Sequence, residues 1–235
     1  VAQKKAMEEW QAATTDWERR KDAHQEGQRQ LGASYPSRIR TDVELMGATL
    51  SEVLESLVWP RETTISFDIS DDGAKVWLDV DLPEIEDLPP RIATVASTER
   101  RLNIKDKPKT QLQKEYAAHI HGIAFRLAGA VLSSLPGCQA LVVSGYSQRL
   151  DKATGNMSDD YLLSVVIDRE RFSNVNFDGL ERVDPVATLE MFDLRRRMTT
   201  SGFFKPIEPF APESLKINHA RNSSALPSRS NPMQQ

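Results

Sequence analysis

Between residues 65 and 82 apolar side chains fall on every second position: Ile65, Phe67 and Ile69, then Val76, Leu78, Val80 and Leu82. A period of two belongs to a half-buried strand, because successive side chains point to opposite faces of a sheet. Asp71-Asp72-Gly73 separates the two runs and supplies the glycine that a tight hairpin needs for its positive φ. A chain containing this pair has to build a sheet with a dry face, and its other elements have to cover that face.

The best candidate for the cover is a long helix over residues 110–135. Leu112, Tyr116, Ile120, Ile123, Ala124, Leu127, Val131 and Leu132 mark one wide apolar stripe there, and Pro136-Gly137 stops it. A shorter helix is expected to open at Thr41-Asp42-Val43-Glu44, read as a capping box with Thr41 as the cap, and to bury Val43, Met46, Leu50, Val53 and Leu57. Two further strands are predicted over 140–144 and 161–167, where nearly every residue is apolar. Asp184-Pro185 then opens a last helix that buries Val186, Leu189 and Phe192 and closes on Arg195-Arg196-Arg197, whose cations suit a helix C-terminus. Residues 83–109 hold Pro83, Pro89, Pro90 and Pro108 and read as a long irregular connection with a short strand near 92–95. This order of elements predicts an α+β domain over 37–210, a mostly antiparallel sheet of two strand pairs packed with a long central helix.

An N-terminal helical arm or linker precedes that domain. Residues 1–36 are rich in Ala, Glu, Gln, Lys and Arg, and Met7, Trp10 and Trp17 recur at spacings of three and seven on one edge. Gly27, Gly32 and Pro36 are expected to break the helix. Two tryptophans on a polar helix call for cover, from the domain, a second copy of the chain or another protein, so Trp10 and Trp17 are the candidate interaction residues. Beyond Phe210 the composition of Ser, Asn, Pro and Gln predicts a disordered tail over 211–235. With 39% hydrophobic and 27% charged residues in 235, the composition suits one globular domain with wet ends.

No run approaches 18 apolar residues, and Val1-Ala2-Gln3-Lys4-Lys5 leads into polar helix rather than an apolar export core. A cytoplasmic chain with no membrane partner is therefore expected, and an initial Val rather than Met suits a piece of a longer protein. The single cysteine, Cys138, cannot close an intrachain disulfide and is read as a packed residue.

Two blocks of opposite sign stand out within a net charge of −4. Asp79 and Asp81 lie two apart on a strand, so both carboxylates leave the same face, and Glu84, Glu86 and Asp87 follow; such a pair could hold a hard divalent cation. Downstream come Arg91, Arg100, Arg101, Lys105, Lys107, Lys109 and Lys114 against Glu99 and Asp106. An acidic metal site beside a basic stretch is what phosphodiester chemistry uses, the metal activating water while cations hold the backbone. The nuclease pattern of an Asp followed by Glu-x-Lys finds only Glu99-Arg100-Arg101, with Arg in place of Lys. A solvated strand face accounts for the same carboxylates. His119 and His121 are about 200° apart around a helix and cannot clamp one ion. Ser144-Gly145-Tyr146-Ser147-Gln148-Arg149 is read as the polar rim where a strand runs into a loop, in which Tyr146 and Arg149 could meet a base or a phosphate.

The runs Asp79-Val80-Asp81-Leu82-Pro83-Glu84-Ile85-Glu86-Asp87-Leu88-Pro89 and Ser144-Gly145-Tyr146-Ser147-Gln148-Arg149-Leu150-Asp151, with Met198-Thr199, resemble the C-terminal region of an uncharacterised bacterial protein family. Its members often carry a small glycine-rich domain of unknown function at the N-terminus. The resemblance covers residues 40–210 and implies no activity. No nucleophile with a base, no cofactor loop and no metal-ligand cluster stands out, so the expected function is a non-catalytic protein-interaction or scaffold module. The alternative is a metal-dependent nucleic-acid-binding protein or nuclease using Asp79, Asp81 and the 100–114 basic segment; a divalent metal is implied only under that alternative.

Overall fold

The computed structural model of the chain describes residues 2–95, 102–150 and 155–211. The arm is α1, Ala2–Arg38. It runs through Gly27 and Gly32, where the sequence predicted breaks. Neither glycine meets another atom where a side chain would stand, so each costs the helix only propensity, about 1 kcal/mol. Pro36 falls in the last turn, and Ile39, just beyond it, is buried in the core.

The second helix, α2 (Val43–Ser56), is capped one residue later than expected. Asp42, rather than Thr41, accepts a hydrogen bond from the Leu45 amide at 3.1 Å and pairs with Arg38 at 2.6 Å. Its buried face is Met46, Leu50 and Leu54.

β1 (Ile65–Ile69) and β2 (Lys75–Asp81) form the expected antiparallel hairpin, with Gly73 at φ 70°. Asp72 fastens the turn by accepting from the Ser70 hydroxyl and the Ala74 amide. A short 3-10 turn, Ile85–Asp87, follows. The connection after it is more regular than its prolines suggested: β3 (Arg91–Val95) and β4 (Leu102–Asp106) pair as a separate antiparallel ribbon, and all ten of their side chains are exposed. β3 is the short strand expected near 92–95, and β4 left no signal of its own.

α3 (Lys109–Ser134) then carries the chain to β5 (Ala140–Leu150), which lies parallel to β2 from Lys75↔Ala140 to Asp81↔Tyr146. β6 (Met157–Asp168) returns antiparallel beside β5. Both strands extend well past the predicted 140–144 and 161–167, so Ser144–Arg149 is strand rather than rim loop. After the short helices α4 (Arg169–Phe172) and α5 (Pro185–Leu189) come β7 (Asp193–Met198) and β8 (Phe204–Lys205). The Asp184 cap holds as expected, donated to by the Val186 amide at 2.9 Å. The helix behind it is short, however, and Arg195, Arg196 and Arg197 lie on β7 instead of closing it.

The fold is thus α+β with one six-stranded mixed sheet in the order β1-β2-β5-β6-β7-β8. The two expected strand pairs exist, and the parallel β2–β5 pairing fuses them; the α3 crossover is what makes that pairing possible. The dry face carries Ile65, Phe67 and Ile69 of β1 and Val76, Leu78 and Val80 of β2. It packs on Tyr116, Ile120, Ile123, Ala124, Leu127 and Val131 of α3, with α2 and α5 beside it. Arg169 ties the C-terminal end of α3 to the sheet, donating to the carbonyls of Leu132, Leu135 and Cys138 at 2.5–2.8 Å. Leu132 stands in the last turn of α3, whose carbonyls lack partners within the helix, and the half-buried guanidinium satisfies it together with the two carbonyls just beyond. Among the described residues no helix is long and apolar enough to cross a membrane. The predicted tail, beyond Ala211, lies outside the described residues.

Candidate functional site

The period of two that buries Val76, Leu78 and Val80 sends Trp77, Asp79 and Asp81 to the opposite, helix-free face. Strand register continues that face across the sheet. Ser66, Asp79, Ser144, Ser164 and Arg195 stand in one cross-strand row, and Asp81, Tyr146 and Tyr161 in the next. The second row depends on a bulge. Gly145 pairs with Leu163 and Tyr146 with Tyr161, so Leu162 is an extra, buried residue in β6. Without it Tyr161 would point into the core; bulges characteristically re-aim a side chain in this way.

The C-terminal segment 206–211 crosses this face. The Ile207 amide donates to the Tyr161 carbonyl and the Phe210 amide to the Ser164 hydroxyl. Arg195 donates to the carbonyls of Glu208 and Pro209, with its guanidinium 3.8 Å from the Phe210 ring centroid. Between this segment and the strands lies a cleft of about 480 Å³, walled by Trp77, Asp79, Ser144, Asp159, Asp160, Tyr161 and residues 206–211. Ser144 and Ser164, both buried, share a 2.9 Å hydrogen bond in its floor. The Tyr146 and Tyr161 rings stand 5.7 Å apart at 60°.

The cleft is electrostatically negative. Tyr161 donates its hydroxyl to Asp79, and burial together with the Asp79 and Asp159 carboxylates holds its pKa far above the ordinary phenol value. Burial raises Tyr146 as well, with Asp81, Asp159 and Asp79 adding to the shift. Asp79 and Asp81 therefore share one face, as their spacing predicted, but each is already engaged. Arg61 pairs with Asp81 at 3.2 Å and donates to the Leu82 carbonyl at 2.7 Å. Among the described residues no group of three His, Cys, Asp or Glu side chains is placed to hold a metal ion.

The basic segment lies elsewhere. Arg100 and Arg101 fall outside the described residues, as does the Glu99-Arg100-Arg101 motif. Lys105 is on the exposed ribbon, where Arg91 pairs with Asp106 at 3.2 Å. Lys107 pairs with Glu115 at 2.6 Å, which with the Gln111 amide holds the Glu115 carboxyl below its ordinary pKa, and Lys109 opens α3. No residue of β3 or β4 lines the acidic cleft.

The arm presents its stripe to solvent: Met7, Trp10 and Trp17 are 58%, 65% and 56% exposed. Trp17 carries the Lys21 ammonium 5.2 Å from its ring centroid, and Tyr35 meets Thr49 of α2 near the other end. His119 and His121 diverge as their spacing demands. His121 is buried between the Ala117 carbonyl and Arg196, while His119 is half-exposed. Cys138 is buried, and burial pushes its thiol up to about 11, so it packs rather than reacts.

Sequence reasoning singled out Asp79, Asp81, Tyr146 and Arg149. Ser144 stood at the head of the run read as a polar rim; Tyr161, Asp159 and Phe210 were missed, because only long-range pairing brings them here, and the sole local hint was Tyr161 following Asp159-Asp160 at the head of an apolar run. Arg149 reaches Asp160 at 3.8 Å. Comparison with known proteins gives no match to a family model, to a curated protein or to a solved structure.

Proposed function

We propose that the chain is a non-catalytic protein-interaction module that associates through α1. The observation that carries the reading is the aromatic stripe of Met7, Trp10 and Trp17, exposed on one edge of a 37-residue helix. Large aromatics are the side chains that dominate association energies, because each buries much area at little conformational cost. Light scattering on the whole chain, on a chain lacking residues 1–31 and on the Trp10→Ala, Trp17→Ala double variant tests it. A dimeric or larger mass that falls to that of one chain in both variants is the expected result. A mass of one chain in all three samples rejects self-association.

A second reading, nucleic-acid binding by the 100–114 segment, is favoured by one observation: Lys105 lies on an exposed two-stranded ribbon, a shape that the DNA major groove admits. Under it, DNA or RNA affinity at low salt drops in an Arg91→Ala, Lys105→Ala variant, and the salt slope shrinks by about one for each phosphate that no longer meets a cation. The nuclease form further requires cleavage with Mg²⁺ or Mn²⁺ that Asp79→Ala with Asp81→Ala abolishes. Absence of binding at low salt rejects both forms.

A further inference from the structure

The cleft on the helix-free face has a chemistry that the arm does not share and the interaction reading does not use. Aromatic residues line it from two sides, Trp77 on β2 and Tyr161 on β6, with Tyr146 packed against Tyr161. Four carboxylates line it, those of Asp79, Asp159, Asp160 and Glu208, and Pro206, Ile207, Pro209 and Phe210 of the crossing segment add apolar surface. Among the described residues no Lys or Arg lines it: Lys75 stands 5.5 Å from the Trp77 ring centroid and Arg195 behind Phe210, while Arg149, 3.8 Å from Asp160, lines a separate pocket with Glu84 and Tyr116.

We propose that this cleft binds a small organic cation, a guanidinium or alkylammonium group, between the Trp77 and Tyr161 rings and the carboxylates of Asp79 and Asp159. The face of an aromatic ring attracts a cation through its quadrupole, and this attraction grows as water is excluded. A carboxylate supplies the charge-assisted hydrogen bond that fixes the donor's position, with guanidinium able to bond in bidentate fashion. A hard divalent ion fits less well: it demands six or more oxygen ligands, whereas Asp79 already accepts from Tyr161 and Asp81 is paired with Arg61. A volume of about 480 Å³ lies within the range of small-molecule sites.

The local architecture is specific to this arrangement. The Leu162 bulge turns Tyr161 onto the acidic face, and three anchors hold segment 206–211 over it: the Ile207 amide, the Phe210 amide and Arg195. Burial is the first cause of the raised tyrosines, and Asp79 and Asp159 add to the shift of both.

A guanidinium can arrive as a free metabolite or as an arginine side chain, so the test has two ligand arms. Agmatine and a capped Gly-Arg-Gly peptide are titrated by calorimetry, with n-pentanol and the capped Gly-citrulline-Gly peptide as neutral counterparts. The Trp77 indole resonance of the isotope-labelled chain locates the binding. The expected result is saturable binding of at least one cation, a shift of the Trp77 resonance, and a loss of affinity of about fivefold to tenfold in Asp159→Asn, or about 1 to 1.4 kcal/mol. Asp159 is exposed, so this variant keeps the fold. Asp71→Asn, a hairpin-turn carboxylate outside the cleft, should bind as the parent does. Agmatine alone binding identifies a small-molecule site, and the peptide alone identifies an arginine-bearing partner. The proposal is overturned if neither cation shifts Trp77, if the neutral counterparts bind equally, or if Asp71→Asn weakens binding as much as Asp159→Asn.

Discussion

At the scale of single residues, His121 shows how burial settles a protonation state. Its Nδ1 lies 2.6 Å from the Ala117 carbonyl and its Nε2 2.5 Å from the Arg196 guanidinium. A carbonyl accepts and a guanidinium donates, so the ring must be neutral with its proton on Nδ1. Desolvation holds its pKa below the ordinary 6.5; Arg196 adds to the shift, and the Ala117 carbonyl, Glu190 and Asp184 oppose it. The unfolded chain therefore takes up this proton near pH 6.5, while the folded chain takes it up only at lower pH. Between those values the unfolded state binds more protons, so stability is full above pH 6.5 and falls as the pH drops through that window. Glu84, raised chiefly by desolvation, acts in the opposite sense at more acid pH. Urea titrations from neutral pH to pH 5 should show the loss, and His121→Gln, neutral throughout, should flatten it. A parent chain with no slope in that range would show that His121 does not titrate on unfolding.

At the scale of elements, close approaches decide what the periodic patterns leave open. A Cβ on Gly137 would stand 2.3 Å from the Arg40 carbonyl oxygen and 2.9 Å from its Cα, so the turn after α3 can pass the start of α2 only with glycine there. Those atoms are backbone and cannot rotate away. Gly137→Ala should therefore destabilise the chain by about 1–3 kcal/mol, read as a lower urea midpoint, whereas Gly129→Ala in mid-helix, with nothing within 4 Å, should stabilise it slightly. The sequence marked Gly137 only as a helix stop, because the neighbour that demands glycine lies far upstream in the chain. The same distinction separates the legible elements from the rest. α2, the β1–β2 hairpin, α3 and the cores of β5 and β6 follow from local periodicity and turn chemistry. β7 was read as helix because Asp184-Pro185 is a true start signal, while its strand state comes from pairing with β6, as at Leu163↔Arg196. The acidic pair was legible from strand period alone. That Ser144, though named in the polar run, stands beside Asp79 was not, nor were Tyr161 and Phe210, since register, the Leu162 bulge and a returning segment assemble them.

At the scale of the whole molecule, the core and the arm are held by different physics. Core side chains such as Met46, Leu50, Ile120, Leu127, Leu141 and Ile167 are wholly buried within one chain. Among the described side chains along the outer length of α1 none has such support. Its stripe is exposed, and its ion pairs, such as Arg20 with Asp16 at 3.1 Å, are local and solvent-facing. Such pairs contribute only about 0.3–0.5 kcal/mol each, and most helical stability in proteins comes from packing an amphipathic face. Covering Met7, Trp10 and Trp17 against a second copy would supply the missing burial, so helix formation in the arm and association should be one linked equilibrium. Far-UV ellipticity of the whole chain is then expected to deepen with protein concentration over the range in which the scattering mass rises. In the Trp10→Ala, Trp17→Ala variant it should stay shallow at every concentration, while the urea midpoint of the core is unchanged. Ellipticity independent of concentration would mean that the arm holds its helix by propensity and local pairs alone, and its tryptophans would then need a partner other than the chain itself.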